Sequence, residues 1–425
     1  LVIAIIAFAT LNALLWSLVR APLHGGPDES AHFRVIHAIV DTGGLAEFQG
    51  YGPGAFAGGP VRAQVAHEIT PNAFAIPVGY ALRLIGSDDL AFNVHAARLF
   101  MVALFPITLW LAYLTLRRLF PTGPVERIWG IGLMAAVPMF TLVHSYYTND
   151  ASAIAAGTFA AYATVRAYQS NFRTRDVLLL GVALGMVGLH KYTGFLVFPA
   201  VAGVTLWRLW RRPMRFVAVG AALVAIAAAI AAWWYMRNWA LYADPFGVEV
   251  TQAAVDASGG APVPPRTRGL SPVGFVQETN WIGENFATFW AGYGLEKMKI
   301  PGAAYVALSV LVVVAAIGFV VRAVRCRGAG PSIAVPILAL MAFLHLGLWA
   351  ASFWSSYTVD VALSGRYVYP SFVPFVVLVI AGLTGLVAWR GRAGAALVAT
   401  IPVMLAANVA YFVQTVVPDV VALGT

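Results

Sequence analysis

Long uncharged hydrophobic runs dominate the chain, and short polar segments separate them. The first run, residues 1–19, contains no charged residue, and comparable runs recur along the sequence. Because about 20 apolar residues suffice for a helix to cross the hydrocarbon layer, these runs predict membrane-spanning helices. The predicted spans are 1–19, 94–116, 128–145, 150–167, 177–190, 193–209, 215–236, 302–321, 333–353, 368–389 and 394–413. The pattern predicts an all-α integral membrane protein with about eleven transmembrane helices, forming a single polytopic domain over residues 1–425.

The connections between the predicted spans alternate in charge, and this alternation predicts the orientation of the chain. Arginines collect in every second connection, and by the positive-inside rule those connections face the cytoplasm. They are Arg117, Arg118 and Arg127; Arg166, Arg173 and Arg175; Arg208, Arg211, Arg212 and Arg215; Arg322, Arg325 and Arg327; and Arg390 and Arg392. The N-terminus is then predicted to be cytoplasmic.

Two long segments, 20–93 and 237–301, fall on the opposite, external side in this orientation. The first contains helical patterns at 28–40 and 72–85 that are too short to span, which predicts juxtamembrane helices, with a Gly/Pro-rich connector at 50–60. The second contains the aromatic-rich stretch VGFVQETNWIGENFATFWAGYG, whose composition is typical of a helix lying at the membrane interface.

Composition agrees with this class and removes others. Hydrophobic residues make up 60% of the chain and charged residues 11%, a balance that excludes an ordinary soluble protein. The net charge of +9 does not indicate a nucleic-acid partner, because the basic residues form short clusters between apolar runs. Cys326 is the single cysteine, so an internal disulfide and a cysteine-based metal site are excluded.

The stretch HGGPDESAH, residues 24–32, carries two adjacent acids directly after the first predicted span. If a helix begins here, Asp28 and His32 share a face at i and i+4, and the imidazole can steer the carboxylate as a general base. Either Asp28 or Glu29 fits the role of base. The alternative is that both acids complement the dipole of a helix N-terminus.

A second acid lies at the external start of the fourth predicted span, in SYYTNDAS at 145–152. Asn149 or Asp150 suits an N-cap, which is the structural explanation. Asp150 also faces the same side of the membrane as Asp28, so a catalytic role and a single divalent ion held by these two acids both remain open. The eight histidines are dispersed along the sequence, and this spacing argues against a histidine-box metal site.

Three cations are predicted at the same external depth as these acids. Lys191 lies in the tight turn HKYTG, Arg237 ends the seventh predicted span, and Arg366 opens the tenth beside Tyr367. Positive-inside bias disfavours arginine on this side, so another reason for its presence is expected, and phosphate binding is one. The alternatives are a snorkelling lysine and an interfacial aromatic belt.

Carboxylates and cations at a bilayer edge suit a reaction between an acceptor hydroxyl and a lipid phosphate ester. A polyprenyl-phosphate sugar delivers an activated donor outside the cytoplasm, where nucleotide sugars are absent. The carboxylate accepts the proton of the acceptor, and the cations stabilise the phosphate leaving group. A single carboxylate base predicts inversion at the anomeric carbon. The alternative, a lipid-linked sugar flippase or another polytopic transporter, fits less well, because the ionisable groups collect on one face.

The chain resembles the GT-C superfamily of membrane glycosyltransferases, in particular the protein O-mannosyltransferase and aminoarabinose transferase group and its uncharacterised bacterial relatives. The residues that carry the resemblance are Pro27, Asp28, Glu29 and His32; Asn149 and Asp150; Lys191, Tyr192, Thr193 and Gly194; Arg237, Asn238, Asp244 and Pro245; and Gly365, Arg366 and Tyr367.

The resemblance implies a first-loop acid as catalytic base, a polyprenyl-phosphate sugar as donor, and a glycan, lipid or protein as acceptor. It also implies a multi-pass protein of the bacterial inner membrane with its active site on the periplasmic face. His32, Asn149, Tyr192 and Tyr367 are expected to support the site.

Overall fold

The computed structural model describes residues 1–19, 28–45, 47, 69–257, 263–292, 300–325 and 335–417, and every regular element among them is a helix. The helices are α1 (Val2–Val19), α2 (Glu29–Thr42), α3 (Ala75–Ile85), α4 (Leu90–Leu119), α5 (Pro124–Ala136), α6 (Pro138–Val143), α7 (Asn149–Gln169), α8 (Thr174–Gly188), α9 (Val197–Leu209), α10 (Pro213–Tyr242), α11 (Val248–Ala257), α12 (Pro272–Thr279), α13 (Trp281–Trp290), α14 (Gly302–Arg325), α15 (Val335–Thr358), α16 (Phe372–Leu386) and α17 (Gly391–Tyr411). Two short 3₁₀ helices, η1 (Tyr192–Leu196) and η2 (Gly365–Ser371), precede α9 and α16, and a π-helical turn (Phe412–Val416) follows α17. The all-α class is confirmed.

Eight helical segments in this part of the chain are long and apolar enough to cross a membrane. They are Val2–Val19, Leu90–Leu119, Tyr192–Leu209, Pro213–Tyr242, Gly302–Arg322, Val335–Thr358, Gly365–Leu386 and Gly391–Gln414. The chain is therefore a multi-pass membrane protein.

The predicted count of eleven spans is not confirmed, and the other three predicted spans differ for separate reasons. The span expected at 128–145 is divided into α5 and α6, because Pro138 lacks the N–H that would continue the helix. The span expected at 177–190 is the 15-residue α8, roughly 22 Å long. The helix α7 is long enough, but its side chains are mostly buried against neighbouring helices and need not be strongly apolar.

The short helices expected in the first external segment are present as α2 and α3, while the connector at 50–60 lies outside the described residues. They pack closely, because a Cβ atom on Gly79 of α3 would lie 2.8 Å from the Cβ of Ile39 in α2. Arg83 of α3 donates to the Val40 carbonyl at 2.7 Å and so satisfies the C-terminal end of α2. The two helices therefore pack together as one unit, and Asp28 directly precedes its first helix.

Glycines bring the backbones of several helices into direct contact. A Cβ atom on Gly382 of α16 would lie 2.0 Å from the Ala315 carbonyl oxygen of α14, the close approach seen where small residues line a membrane helix interface. A Cβ atom on Gly157 of α7 would lie 2.6 Å from the Pro370 carbonyl oxygen of η2. The second contact holds η2 against α7, and it places the start of η2 near the N-terminus of α7.

Candidate functional site

Two acids and two cations from four separate parts of the chain meet in a row, which we call the acid–cation chain: Asp28, Arg366, Asp150 and Lys191. Arg366 Nη2 donates to Asp28 Oδ2 at 2.9 Å, and Arg366 Nε lies 3.2 Å from Asp150 Oδ2. Lys191 Nζ donates to Asp150 Oδ1. The structure thus brings together four residues that were predicted separately from the sequence.

Asp28 directly precedes α2 and has a backbone conformation that an ordinary residue rarely adopts. Its φ of 58° and ψ of 12° lie in the left-handed region, which costs on the order of 1 kcal/mol for a residue with a Cβ atom. Its side chain is 37% exposed, whereas that of its partner Arg366 is 6% exposed. The Asp28 carboxylate is therefore the accessible end of the acid–cation chain.

Glu29 turns the other way and forms a buried ion pair with Arg98 of α4. Arg98 Nε and Nη2 each donate to one Glu29 oxygen at 2.7 Å, and both side chains are completely buried. The backbone N–H of Tyr147 donates to the same carboxylate at 3.1 Å, and burial raises the pKa of the Tyr147 hydroxyl, so that it stays neutral. With both oxygens engaged, Glu29 anchors α2 to α4, and the contacts favour Asp28 over Glu29 as the base.

Arg98 was missed in the sequence analysis, although a signal was available. It lies inside the predicted span 94–116, and a charged residue within a span is by default a functional or structural site with a partner. Its partner could not be identified from spacing, because Glu29 is 69 residues away.

Asp150 lies in the first turn of α7, and its carboxylate contacts both cations. Thr148, rather than Asn149 or Asp150, caps the helix, because its hydroxyl accepts from the Asp150 N–H at 3.2 Å. The helix N-terminus also favours a negative charge at this position. Asn149 is buried beside it, and His32 Nε2 lies 3.3 Å from the Thr148 hydroxyl.

The ring of Tyr367 supports both cations of the chain. Lys191 Nζ lies 4.7 Å from the ring centroid and Arg366 Cζ lies 5.2 Å from it. Arg366 Nη1 also donates to the Tyr146 hydroxyl at 3.3 Å. Cation–π contacts of this kind stabilise both positive charges. Lys191 and Arg366 thus share the Tyr367 ring as well as the Asp150 carboxylate.

Arg237 and Tyr192 make contacts with aromatic, amide and backbone groups. Arg237 lies over the Trp234 ring at 5.6 Å and donates to Asn238 Oδ1 at 3.3 Å. Tyr192, next to Lys191, donates to the Phe246 carbonyl at 2.6 Å. Phosphate binding by Arg237 and a supporting role for Tyr192 therefore stay predictions.

Asp244 holds the turn that Tyr192 contacts. Its carboxylate accepts four backbone N–H groups, from Phe246, Gly247, Glu249 and Val250, at 2.7–3.3 Å. This explains the Asp244-Pro245 pair of the sequence as a structural cap at the start of α11.

A divalent ion between Asp28 and Asp150, which the sequence left open, does not fit these residues. The Arg366 guanidinium contacts both carboxylates and balances their charge where the ion would bind. In the described ranges no three His, Cys, Asp or Glu side chains are grouped as metal ligands. A metal ion at this position would have to displace an arginine that is 6% exposed.

An apolar groove of about 650 Å³ runs between α8, α9 and α10 beside this site. Its lining includes Gly188, Phe195, Tyr235 and Phe246. Phe195 belongs to η1, which directly follows Lys191. The groove is therefore continuous with the turn that carries a cation of the acid–cation chain.

Comparison with known proteins gives one family match. Residues 77–235 match the family described as dolichyl-phosphate-mannose-protein mannosyltransferase. No curated protein sequence matches the chain.

Two solved structures are similar at a distance. One is ArnT from Cupriavidus metallidurans bound to undecaprenyl phosphate, with 17% identity, 95% of this chain and 77% of that chain covered, and a TM-score of 0.43. The other is the oligosaccharyltransferase from Archaeoglobus fulgidus in complex with Zn and sulfate, with 13% identity, 98% of this chain and 52% of that chain covered, and a TM-score of 0.49.

Proposed function

We propose that this chain, which resembles the GT-C membrane glycosyltransferases and matches a mannosyltransferase family over residues 77–235, is an inverting enzyme. It transfers a sugar from a polyprenyl-phosphate donor to an acceptor hydroxyl. The observation that carries the proposal is the sharing of Arg366 between Asp28 and Asp150, with Lys191 on the far side of Asp150. The base Asp28 then contacts one phosphate ligand, Arg366, directly, and Asp150 links that arginine to the second ligand, Lys191.

Donor binding changes the partners of Arg366. The phosphate of the donor competes with the carboxylates for Arg366 and Lys191, because charge-assisted bonds from arginine to phosphate and to carboxylate are of similar strength. When the guanidinium turns to the phosphate, the Asp28 carboxylate loses its contact with Arg366 and can accept the proton of the acceptor hydroxyl. In the resting protein, Arg366 therefore keeps the Asp28 carboxylate engaged until the donor binds.

The reaction then needs one base and no general acid. Asp28 accepts the proton of the acceptor hydroxyl while the acceptor oxygen bonds to the anomeric carbon. The bond from that carbon to the phosphate oxygen breaks, and the polyprenyl phosphate leaves with the electron pair, stabilised by Arg366 and Lys191. Because the acceptor attacks opposite the leaving group, the anomeric configuration inverts.

The position of the site along α7 supports an external active site. Asp150 begins α7, and Gln169 ends it about 30 Å away, where Arg118 Nη1 donates to the Gln169 side chain. The arginine-rich connections thus lie at the opposite end of the helix from the acid–cation chain. By the positive-inside rule, that end is cytoplasmic and the site is external.

The apolar groove between α8, α9 and α10 suits the polyprenyl tail. Its lining is almost entirely aliphatic and aromatic, and it includes Phe195 of η1, the short helix that directly follows Lys191. A tail lying there would present its phosphate to Lys191 and Arg366, with hydrophobic contact as the main source of affinity.

The test is transfer from radiolabelled polyprenyl-phosphate sugars by the purified protein in liposomes. Asp28→Asn is expected to bind donor normally and to turn over at least about 10²-fold more slowly. Asp41→Asn is the matched control, because Asp41 lies on α2, the helix that Asp28 directly precedes, and is 54% exposed. Full turnover by Asp28→Asn would remove Asp28 as the base, and movement of labelled lipid across the bilayer without transfer would indicate a flippase.

A further inference from the structure

The segment that carries Arg366 is in backbone contact with α13, a helix of the second external segment. A Cβ atom on Gly365 would lie 2.3 Å from the Asn285 carbonyl oxygen and 2.6 Å from the Phe289 nitrogen. No side chain fits between the two backbones at this point. The residue directly before Arg366 is therefore pressed against α13.

Hydrogen bonds join the same two segments. The Gly365 N–H donates to the Thr288 hydroxyl oxygen at 2.8 Å, and that hydroxyl donates to the Glu284 carbonyl of its own helix at 2.7 Å. Further along η2, the Tyr369 hydroxyl donates to the Phe289 carbonyl. Thr288 is the side chain of α13 that accepts from the backbone next to Arg366.

We propose that Thr288 is a positioning residue that sets the place of the Arg366 guanidinium for phosphate binding. The inference rests on the proposed function, since it takes Arg366 as a phosphate ligand. Thr288 is suited to this task because its hydroxyl donates to the Glu284 carbonyl, at 2.7 Å, and accepts from the Gly365 N–H on its oxygen. The Gly365 N–H is thereby held at one point, one residue before the arginine.

The geometry requires such a point because Arg366 has several competing partners. Its guanidinium contacts Asp28, Asp150 and Tyr146 within 3.3 Å, and a donor phosphate must replace part of these contacts. If η2 shifts or turns, the Arg366 side chain stays in contact with Asp28 and Asp150 and is no longer directed at the phosphate. Small displacements at a charged site change affinity strongly, since charge-assisted hydrogen bonds depend on alignment.

The test replaces the hydroxyl of Thr288 without changing its shape. Thr288→Val leaves the Gly365 N–H without its acceptor, and we expect the binding of a polyprenyl phosphate in nanodiscs to weaken about five- to tenfold. Thr288→Ser keeps the hydroxyl and is expected to restore binding to within about twofold. Thr279→Val is the matched control, because the Thr279 hydroxyl bonds to the Phe275 carbonyl of its own helix.

A double-mutant cycle separates positioning from a general loss of stability. In an Arg366→Ala background, Thr288→Val is expected to cause no further loss of polyprenyl phosphate binding, because the residue that it positions is absent. An equal additional loss in that background would overturn the proposal, as would wild-type affinity in Thr288→Val.

Amide hydrogen exchange at Gly365 provides a readout that does not depend on any substrate. We expect exchange at this amide to rise in Thr288→Val and to match the wild type in Thr288→Ser and Thr279→Val. If the wild-type protein binds no polyprenyl phosphate, the proposed function fails on its own, and unchanged exchange at Gly365 would separately overturn the positioning role of Thr288.

Discussion

The buried pair of Glu29 and Arg98 gives the sharpest prediction, because it tests both stability and the identity of the base. Arg98→Met removes the guanidinium and leaves the Glu29 carboxylate fully buried. The Tyr147 N–H still donates to this carboxylate. The same change loosens the connection of α2 to α4. Asp28 depends on that connection, since it adopts its left-handed conformation one residue before Glu29.

The magnitude follows from the burial and the geometry. Both side chains have no exposed surface, and both hydrogen bonds are 2.7 Å long. Removing one partner from a buried pair of this kind costs about 3–5 kcal/mol, because the other charge stays buried without compensation. Replacing both partners is far less costly. We expect Glu29→Gln combined with Arg98→Met to recover all but about 1 kcal/mol, since the neutral amide still accepts from Tyr147.

The assay compares the free energy of unfolding in mixed micelles for the wild type, the two single variants and the double variant. Transfer activity of the folded double variant is then measured. If Asp28 is the base, activity stays within about tenfold of the wild type, because Asp28 is intact. A folded double variant that loses transfer at least about 10²-fold would refute the interpretation that Glu29 only anchors α2 to α4.

Further predictions concern the cations, the glycine contacts and metal dependence. Lys191→Met is expected to weaken polyprenyl phosphate binding about tenfold, measured in nanodiscs, since a charged hydrogen-bond donor is lost; unchanged affinity would exclude Lys191 from the phosphate site. Gly365→Ala places its Cβ atom 2.3 Å from an α13 carbonyl oxygen, so binding should fall by a similar factor in a protein that still folds. Gly382→Val is expected to destabilise the fold by about 2 kcal/mol. Gly220→Ala, which meets no atom within 4 Å, should instead raise the unfolding free energy by at most about 1 kcal/mol, because alanine favours a helix interior over glycine. Chelators are expected to leave transfer unchanged, because Arg366 occupies the position between the acids; loss of transfer that added metal restores would contradict this.

The individual residues of the acid–cation chain were predictable because charge is rare in this sequence. Asp28, Asp150, Lys191 and Arg366 stand out at the ends of apolar runs, and the alternation of basic connections places them on one side. Their pairing was not predictable. Asp28 and Arg366 are 338 residues apart, and no spacing rule reaches across that distance.

The unconfirmed span at 150–167 and the missed Arg98 share one physical cause: a helix surrounded by protein does not need the composition of a helix surrounded by lipid. The helix α7 is nearly all buried and carries small and polar residues, so it lacks the strong hydropathy of the outer spans. Arg98 is tolerated in α4 because Glu29 neutralises it. Burial inside the bundle is a property of the packed helices and is not visible along a single one.

Local and one-dimensional properties were therefore determined by the sequence itself: the helical class, the approximate places of the helices, the expected side of the membrane, and the residue types available for chemistry. These follow from the cost of burying backbone and charge in hydrocarbon, which each segment meets on its own. The tertiary structure decided which charges meet. In the folded chain Glu29 pairs with Arg98, and Asp28 stays accessible. Arg366 lies between two acids, and Gly365 packs against α13. Ion pairs and backbone contacts act over a few ångströms, so they exist only once distant helices have packed together.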